Sequence, residues 1–263
     1  VKHQVLVFGL VFIVAGLAGA ATAPALATVS ESDFLDDLPV VLSASRLSQP
    51  LALAPAAVTV LERDTIRALG ARDIPELFRL VPGFNVAYTR DNSWGVGYHG
   101  MADAFSRRMQ ILVDGRSIYM PGFGQVPWTS LPLAIEDIER IEIVRGPNAA
   151  TYGANAFFGV INIITRDPAL TQGPHVSVYA GDHDMRDVTM RYGGEVGKLR
   201  YRLTLGDRQR DRFDSQAEKT TTRFVDFRGD YRISNADELT VNLSASRANW
   251  RVGRAGDATD PVR

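Results

Sequence analysis

Hydrophobic and polar residues alternate with a period of two through much of segment 174–263. In Leu199–Leu205 three leucines and a tyrosine fall on one side of an extended chain, whereas Arg200, Arg202 and Thr204 fall on the other. The alternation predicts five strands, at 176–180, 188–192, 199–205, 226–233 and 239–246. Short connections at 193–198 and 234–237 alternate with a long, charged one at 206–222. This combination is typical of an outer-membrane β-barrel, although a soluble antiparallel sheet with one buried face also alternates.

The barrel interpretation assigns a direction to each side chain of these strands. An arginine turned toward lipid at mid-membrane costs about 2–4 kcal/mol. Arg200, Arg202, Arg228 and Arg232 are therefore predicted to face the lumen. The apolar positions between them are predicted to face lipid.

Segment 57–166 consists instead of short elements separated by turn residues. Strand-like runs occur at 58–61, 84–88, 109–113, 141–144 and 160–164, and short helical patterns at 65–69, 74–81 and 135–139. Asp64 and Asp73 are predicted helix N-caps, and Gly70 a C-terminal cap. Asp114-Gly115 is a hairpin turn signal. The segment is predicted to be a compact module of helices and strands.

Residues 1–27 have the pattern of a secretory signal peptide. Lys2 and His3 precede an apolar stretch over 5–20, and small residues follow, ending in Ala25-Leu26-Ala27. The stretch is shorter than the ~20 residues that span a bilayer as a helix, which favours a cleaved signal over a membrane anchor. The mature chain is predicted to begin near Thr28 and to work outside the cytoplasm.

Composition removes several classes of function. The 263 residues include 29 Lys+Arg and 30 Asp+Glu, so the net charge of -1 gives no global basic field, and no nucleic acid partner is predicted. The absence of cysteine removes disulfide scaffolds, thiol catalysis and Cys-ligated zinc or iron–sulfur sites. No Ser/His/Asp set has a nucleophile context, so no enzyme is predicted, and no cofactor.

Residues 138–165 carry the most specific signature in the chain. They read Ile-Glu-Arg-Ile-Glu-Ile-Val-Arg-Gly-Pro at 138–147, Tyr-Gly at 152–153 and Gly-Val-Ile-Asn-Ile-Ile-Thr at 159–165. With Ile-Leu-Val-Asp-Gly-Arg at 111–116, this pattern resembles the plug signature of the TonB-dependent outer-membrane receptors. His99-Gly100 departs from the Arg-Gly pair that the family usually has. The resemblance implies an α+β plug domain, with a small mixed sheet and short helices, followed by antiparallel transmembrane β-barrel strands.

An apolar segment before the plug is similar to the family's TonB box. The predicted TonB contacts are Leu38, Pro39, Val40, Val41, Leu42, Ser43 and Ala44. Such a segment can add itself as a strand to the exposed edge of a partner's sheet, and Pro39 is expected to keep it from pairing within the chain. An ordinary apolar linker is the alternative.

The resemblance divides the chain into four parts. These are a signal peptide at 1–27, a periplasmic extension with the TonB box at 28–45, a plug at 46–168 and the N-terminal portion of a barrel at 174–263. A plugged transporter barrel of this kind has 22 strands, so five strands imply an incomplete barrel and an N-terminal fragment of a longer receptor.

Two sets of plug side chains have expected roles. Charged contacts with the barrel lumen are expected from Glu139, Arg140, Glu142 and Arg145, with a solvated strand edge as the alternative. Loops 88–97 and 119–128 are rich in aromatic and amide side chains that suit a bound chelate, with packing against the barrel wall as the alternative. The candidate ligand contacts there are Tyr88, Arg90, Asn92, Trp94, Tyr119, Phe123, Gln125 and Trp128.

The function implied by the resemblance is energised uptake across the outer membrane of a Gram-negative-type bacterium. The implied partners are TonB with its inner-membrane complex, outer-membrane lipid and a scarce ligand, first a ferric siderophore and then cobalamin, haem or an oligosaccharide. The alternatives are a periplasmic α/β ligand-binding protein with a β-rich second domain and a secreted hydrolase or adhesin. No metal site is predicted, because His183 between two aspartates is typical of a turn. Gly95-x-Gly97-x-x-Gly100 lacks the strand and helix of a phosphate-binding loop.

Overall fold

The computed structural model describes residues 40–43, 49–51, 54, 56–89, 93–100, 105, 108–153, 155–182, 184–211 and 219–251. The predicted signal peptide lies outside these residues, as do Leu38, Pro39 and Ala44 of the predicted box. The ligand candidates Arg90 and Asn92, and His183, also lie outside them.

The plug domain is built on a five-stranded mixed sheet. Its part of the described chain contains β1 (Val40–Val41), β2 (Gln49–Pro50), β3 (Ala57–Glu62), β4 (Phe84–Thr89), β5 (Ser93–Tyr98), β6 (Met109–Val113), β7 (Arg116–Ser117), β8 (Ile138–Arg145) and β9 (Gly159–Thr165). The sheet order is β3-β8-β9-β6-β7, and only β6 and β9 run parallel within it. β1 pairs with β2, and β4 with β5, as separate antiparallel pairs.

Short helices follow the cap signals, with one correction. They are α1 (Arg63–Leu69), α2 (Ile74–Leu77) and α3 (Ala149–Tyr152). Asp73 and Glu76 form a capping box at α2, and Gly70 ends α1 with a φ of 66°. The predicted N-cap Asp64 is wrong, because β3 runs directly into α1 and Glu62 takes that position. Among the described residues, no helix is long and apolar enough to cross a membrane.

Two further elements of the plug differ from what the sequence pattern predicts. The helical pattern at 135–139 is a single 3-10 turn over Ile135–Asp137, because Ile138 already pairs with β9. The sequence pattern did not predict β5, since Gly95 and Gly97 lower its strand propensity. They lie opposite Ala87 and Asn85 of β4.

Isoleucines of the central strands form the plug core. Ile111, Ile143, Ile161 and Ile163 are 0% exposed, and they pack in one cluster with Phe78 from the 3-10 turn Phe78–Leu80 after α2. Burial of each such side chain contributes about 1.5–3 kcal/mol. The central sheet is therefore a rigid platform for the polar groups at its ends.

Five long antiparallel strands follow the plug. They are β10 (Gly173–Ala180), β11 (Arg186–Val196), β12 (Leu199–Asp211), β13 (Lys219–Arg232) and β14 (Glu238–Arg251), paired in chain order. Each predicted strand is confirmed and is longer than its alternation suggested. β11, for example, continues through the predicted turn to Val196, which pairs with Leu199, so that the connection is only Gly197-Lys198.

The faces of this second sheet are the reverse of those of a soluble domain. Apolar side chains are exposed on one face, for example Val178 at 71% and Leu243 at 63%. Polar side chains on the other face are buried against the plug, with Arg202 at 1% and Thr204 at 0%. Soluble domains bury the apolar set and expose the polar set.

Three of the four arginines predicted to face the lumen lie against the plug in this sheet. Arg200, Arg202 and Arg228 do turn toward the plug, where they meet Asp167, the Arg166 carbonyl and Asp114 respectively. Arg232 lies exposed at the end of β13. The alternation therefore identified the inner face of the sheet correctly where the plug covers it.

Gly193 allows the segment between plug and strands to lie directly on β11. A Cβ at Gly193 would lie 2.0 Å from the carbonyl oxygen of Thr171, in the 3-10 turn Pro168–Thr171 that links β9 to β10. Gly193→Ala is expected to reduce the free energy of unfolding by about 1–3 kcal/mol, because backbone must move to admit the methyl group. Urea unfolding of the chain in detergent measures the loss.

Gly229→Ala is the matched control for this substitution. Its methyl group would meet only the side chains of Phe227 and Leu199, at 3.1 Å or more. Side chains can yield by that amount, so a smaller loss is expected. Equal losses for the two variants would show that the contact between Gly193 and Thr171 does not constrain the junction.

Candidate functional site

Residues 40–43, the described part of the predicted TonB box and here called the box segment, are docked on the plug sheet. Val40 and Val41 pair with β2, and the next two amides, of Leu42 and Ser43, donate to one carboxylate oxygen of Glu142 at 2.9 and 2.8 Å. The Ser43 hydroxyl accepts from Nδ2 of Asn162 at 3.0 Å. The expectation that the segment does not pair within the chain is wrong, because pairing begins at Val40, directly after the proline.

Glu142 is the centre of this docking contact. Its side chain is 0% exposed, on β8, and its second oxygen accepts from Nε of Arg140 at 2.9 Å. A buried carboxylate is stable only when it is paired and hydrogen-bonded. Glu142 meets this condition with two backbone amides and one guanidinium group.

Three of the four plug residues expected to contact the barrel pair with other groups in the described part of the chain. Arg140 pairs with Glu142, and Glu139 pairs with Arg166 at 3.3 Å. Glu142 also holds the box segment, and Arg145 is half-buried at the end of β8. Their contact with a barrel lumen stays a prediction.

Asp137 makes the most buried charged contact between the plug and the strands. Its side chain is 1% exposed and accepts from Nη1 of Arg191 at 2.8 Å and from Oγ1 of Thr204 at 2.6 Å. Arg202 lies 3.8 Å from the same carboxylate and donates to Asp226 and to the carbonyl of Arg166. Two strands are thereby tied to the start of β8.

Two more plug aspartates engage the same inner face. Asp73, the cap of α2, lies 3.5 Å from Nε of Arg210, which also pairs with Asp187 of β11. Asp114, in the turn after β6, lies 3.9 Å from Arg228, whose guanidinium donates to Thr165 at 3.0 Å. Together with Asp137, these contacts extend along the height of the strands.

The two loops with ligand candidates come together, but most of their rings face inward. Nε2 of Gln125 donates to Oγ of Ser93 at 3.2 Å, which joins the loops. Trp94 and Trp128 are only 2% and 5% exposed. Trp94 packs edge-on against Tyr88 and Trp128 against Phe78, with ring centroids 5.3 and 5.6 Å apart. The tryptophans therefore belong to the plug core.

Tyr119 and Phe123 differ in what they could offer to a ligand. The phenol of Tyr119 donates to the carbonyl of Met109, and burial raises the pKa of this tyrosine well above its ordinary value, which keeps it neutral. Phe123 is 66% exposed, the highest value among the described candidates. Ligand contact stays a prediction, and Phe123 is its strongest candidate.

Comparison with known proteins shows which family this plug domain resembles. Residues 50–160 match the family model of the TonB-dependent receptor plug domain. Residues 50–160 are therefore a TonB-dependent receptor plug domain. The vitamin B12 transporter BtuB of Vibrio vulnificus is 32% identical to it over 186 residues, which cover 69% of this chain and 29% of the transporter.

Other known proteins are also similar to this chain. The iron-regulated outer membrane virulence protein of Vibrio cholerae is 34% identical over 139 residues, 49% of this chain and 20% of that protein. The ferripyoverdine receptor of the Pseudomonas aeruginosa outer membrane shares the fold, with a TM-score of 0.65 at 18% identity over 79% of this chain and 27% of the receptor. The chain thus spans less than a third of these relatives. BtuB and the ferripyoverdine receptor are named as a transporter and a receptor.

Sequence reasoning missed the plug aspartates that contact β11, β12 and β13. Asp73 and Asp114 were recognised only as a cap and a turn residue, and Asp137 was not singled out. The available signal was the set of inward arginines, because a buried guanidinium needs an acceptor. That signal shows that partners exist without showing which aspartates they are.

Replacing Asp137 by asparagine tests this buried cluster. The change leaves the buried Arg191 without its carboxylate counter-charge, and leaves Arg202 with that of Asp226 alone. The free energy of unfolding in detergent is expected to fall by about 3–5 kcal/mol, as for other broken buried pairs.

Asp207→Asn is the control, because its ion pair with Arg223 is at the surface, where Arg223 is 76% exposed. A loss below about 1 kcal/mol is expected there. If Asp137→Asn cost no more than Asp207→Asn, the Asp137 cluster would not hold the plug to the strands.

Proposed function

We propose that this chain forms the plug and the first barrel strands of an outer-membrane receptor for TonB-coupled uptake of a scarce ligand. The observation that carries the proposal is the reversed sheet β10–β14, with apolar side chains outward and charged side chains docked on the plug. An outward apolar face is favourable in lipid and costly in water. β11–β14 have 11 to 14 residues, and a tilted strand needs about 9–11 to cross the hydrocarbon core.

The proposed location follows from the same sheet and from the leader. A signal at 1–27 would export the chain, and β10–β14 would then insert in the outer membrane. The Vibrio and Pseudomonas relatives with "outer membrane" in their names support this location. An unpaired strand edge is not tolerated in lipid, so the proposal includes further strands beside β10 and β14.

The proposed ligand is a metal chelate, either a ferric siderophore or cobalamin. The relatives named for vitamin B12 and for ferripyoverdine support this class. Loops 88–97 and 119–128 supply the aromatic and amide groups that such ligands use. TonB would act from the periplasm on the box segment, by strand addition.

Val41→Pro tests the coupling to TonB. Proline has no N–H to donate and its φ is fixed, so the box could not complete a ladder with a partner strand. Energised uptake of labelled ligand by cells is expected to be abolished, while binding of ligand to de-energised cells is retained. Val41→Ala keeps the N–H and should transport normally. Unchanged uptake by Val41→Pro would show that the segment is not the TonB box.

Phe123→Ala tests the ligand surface. Loss of one stacking ring is expected to weaken ligand binding to isolated outer membranes about threefold to tenfold. Phe157→Ala is matched to it, because that ring is 59% exposed but lies outside the two predicted loops. Equal affinities of the two variants would place the ligand elsewhere on the receptor.

A further inference from the structure

We propose that Glu142 is a latch that holds the box segment Val40–Ser43 in a form that TonB cannot engage. The proposal deepens the TonB coupling proposed above and rests on it for its biological meaning. Its structural content is independent of uptake, since it concerns whether the Glu142 carboxylate keeps the segment docked.

The first argument is the number and kind of contacts on one oxygen. Oε2 of Glu142 accepts from the amides of both Leu42 and Ser43, at 2.9 and 2.8 Å. Hydrogen bonds to a buried, charged acceptor are roughly twice as strong as those between neutral groups. Ser43 and Val41 are 0% exposed in this state, and Asn162 holds the Ser43 hydroxyl.

The second argument is backbone conformation. Consecutive N–H groups of an extended strand point in opposite directions. The amides of Leu42 and Ser43 instead converge on one atom, and the chain bends at Leu42 directly after β1. A partner strand can therefore pair across these residues only after both amides have left Glu142. The docked form blocks strand addition by its geometry.

The third argument is that the plug tolerates departure of the segment. Arg140 binds the other oxygen of Glu142, so the carboxylate keeps a cationic partner when the amides leave. Leu42 is 38% exposed and lines an open cavity of about 930 Å³, together with Asp114, Arg140 and Arg228. The segment can move into this space without disturbing the isoleucine core.

The fourth argument is that Glu142 and Asp137 hold different parts of the molecule. Asp137 and its arginines tie the plug to the strands, whereas no contact of Glu142 described above reaches β10–β14. A pull on the box therefore breaks the latch contacts before it reaches the plug-strand cluster. Release of the box and retention of the plug are separable events in this structure.

The test uses the absence of cysteine from the chain. A single Val41→Cys substitution places a thiol at a fully buried position, and its reaction rate with a maleimide reports opening of the segment. In the full chain purified in detergent, adding Glu142→Gln is expected to raise this rate about tenfold, since hydrogen bonds to a charged group contribute on that scale. Ser43→Pro, which deletes from the box side one amide donor to Glu142 and the hydroxyl that Asn162 binds, should raise it similarly.

Two controls separate the latch from general loosening. Glu139→Gln makes the same chemical change on the same strand, where the carboxylate faces Arg166, and should leave the rate within about twofold. An Ile161→Cys reporter in the core should stay unreactive in all variants. If Glu142→Gln also exposed that reporter, the Ser43→Pro result would decide, because it replaces no residue of the central sheet.

The outcomes distinguish the latch from the proposed coupling. Unchanged Val41→Cys reactivity in both Glu142→Gln and Ser43→Pro would overturn the latch, whatever the uptake activity. Faster reactivity in Glu142→Gln supports it, and binding of the periplasmic part of TonB to that variant is then expected to increase. Faster reactivity without any TonB binding would support the latch and would show that the proposed coupling to TonB is wrong.

Discussion

Arginines on the inner face of β11–β13 are the groups around which the plug and the strands are arranged. Arg202 is 1% exposed, and moving a guanidinium group out of water costs several kcal/mol unless acceptors replace the water. Asp226 and the carbonyl of Arg166 accept hydrogen bonds from it, and Asp137 lies 3.8 Å away as a counter-charge, so its partners come from both the strands and the plug. Neither surface satisfies Arg202 alone, and the two parts therefore pack in one register.

The reversed sheet follows from this requirement together with the side-chain period of a strand. Because successive side chains point to opposite faces, a strand that turns arginines and threonines toward the plug must turn valines and leucines away from it. That outer face suits lipid. The same pattern, not particular residues, explains how the fold is shared with a ferripyoverdine receptor at 18% identity.

Charged groups in the plug have two distinct uses. Aspartates at the ends of elements, such as Asp73, Asp114 and Asp137, reach outward to the strands. Glu142, in the middle of β8, reaches instead to the backbone of the box segment. The first group joins the plug, which has a large apolar core, to a sheet of five long strands, whereas the second holds only the few residues of the box segment. This difference gives the plug a fixed attachment and a releasable one.

The sequence by itself determined the five long strands, their inner and outer faces, the caps Asp73 and Gly70 and the family of the plug. These features are local or periodic, so neighbouring residues suffice to reveal them. The tertiary structure alone decided that Asp137 receives Arg191, that Trp94 and Trp128 belong to the core, and that Glu142 binds the box. Asp137 and Arg191 are 54 positions apart, and Ser43 and Glu142 are 99 apart. Periodicity shows which face a side chain occupies, but only the packing of distant segments sets which group it meets there.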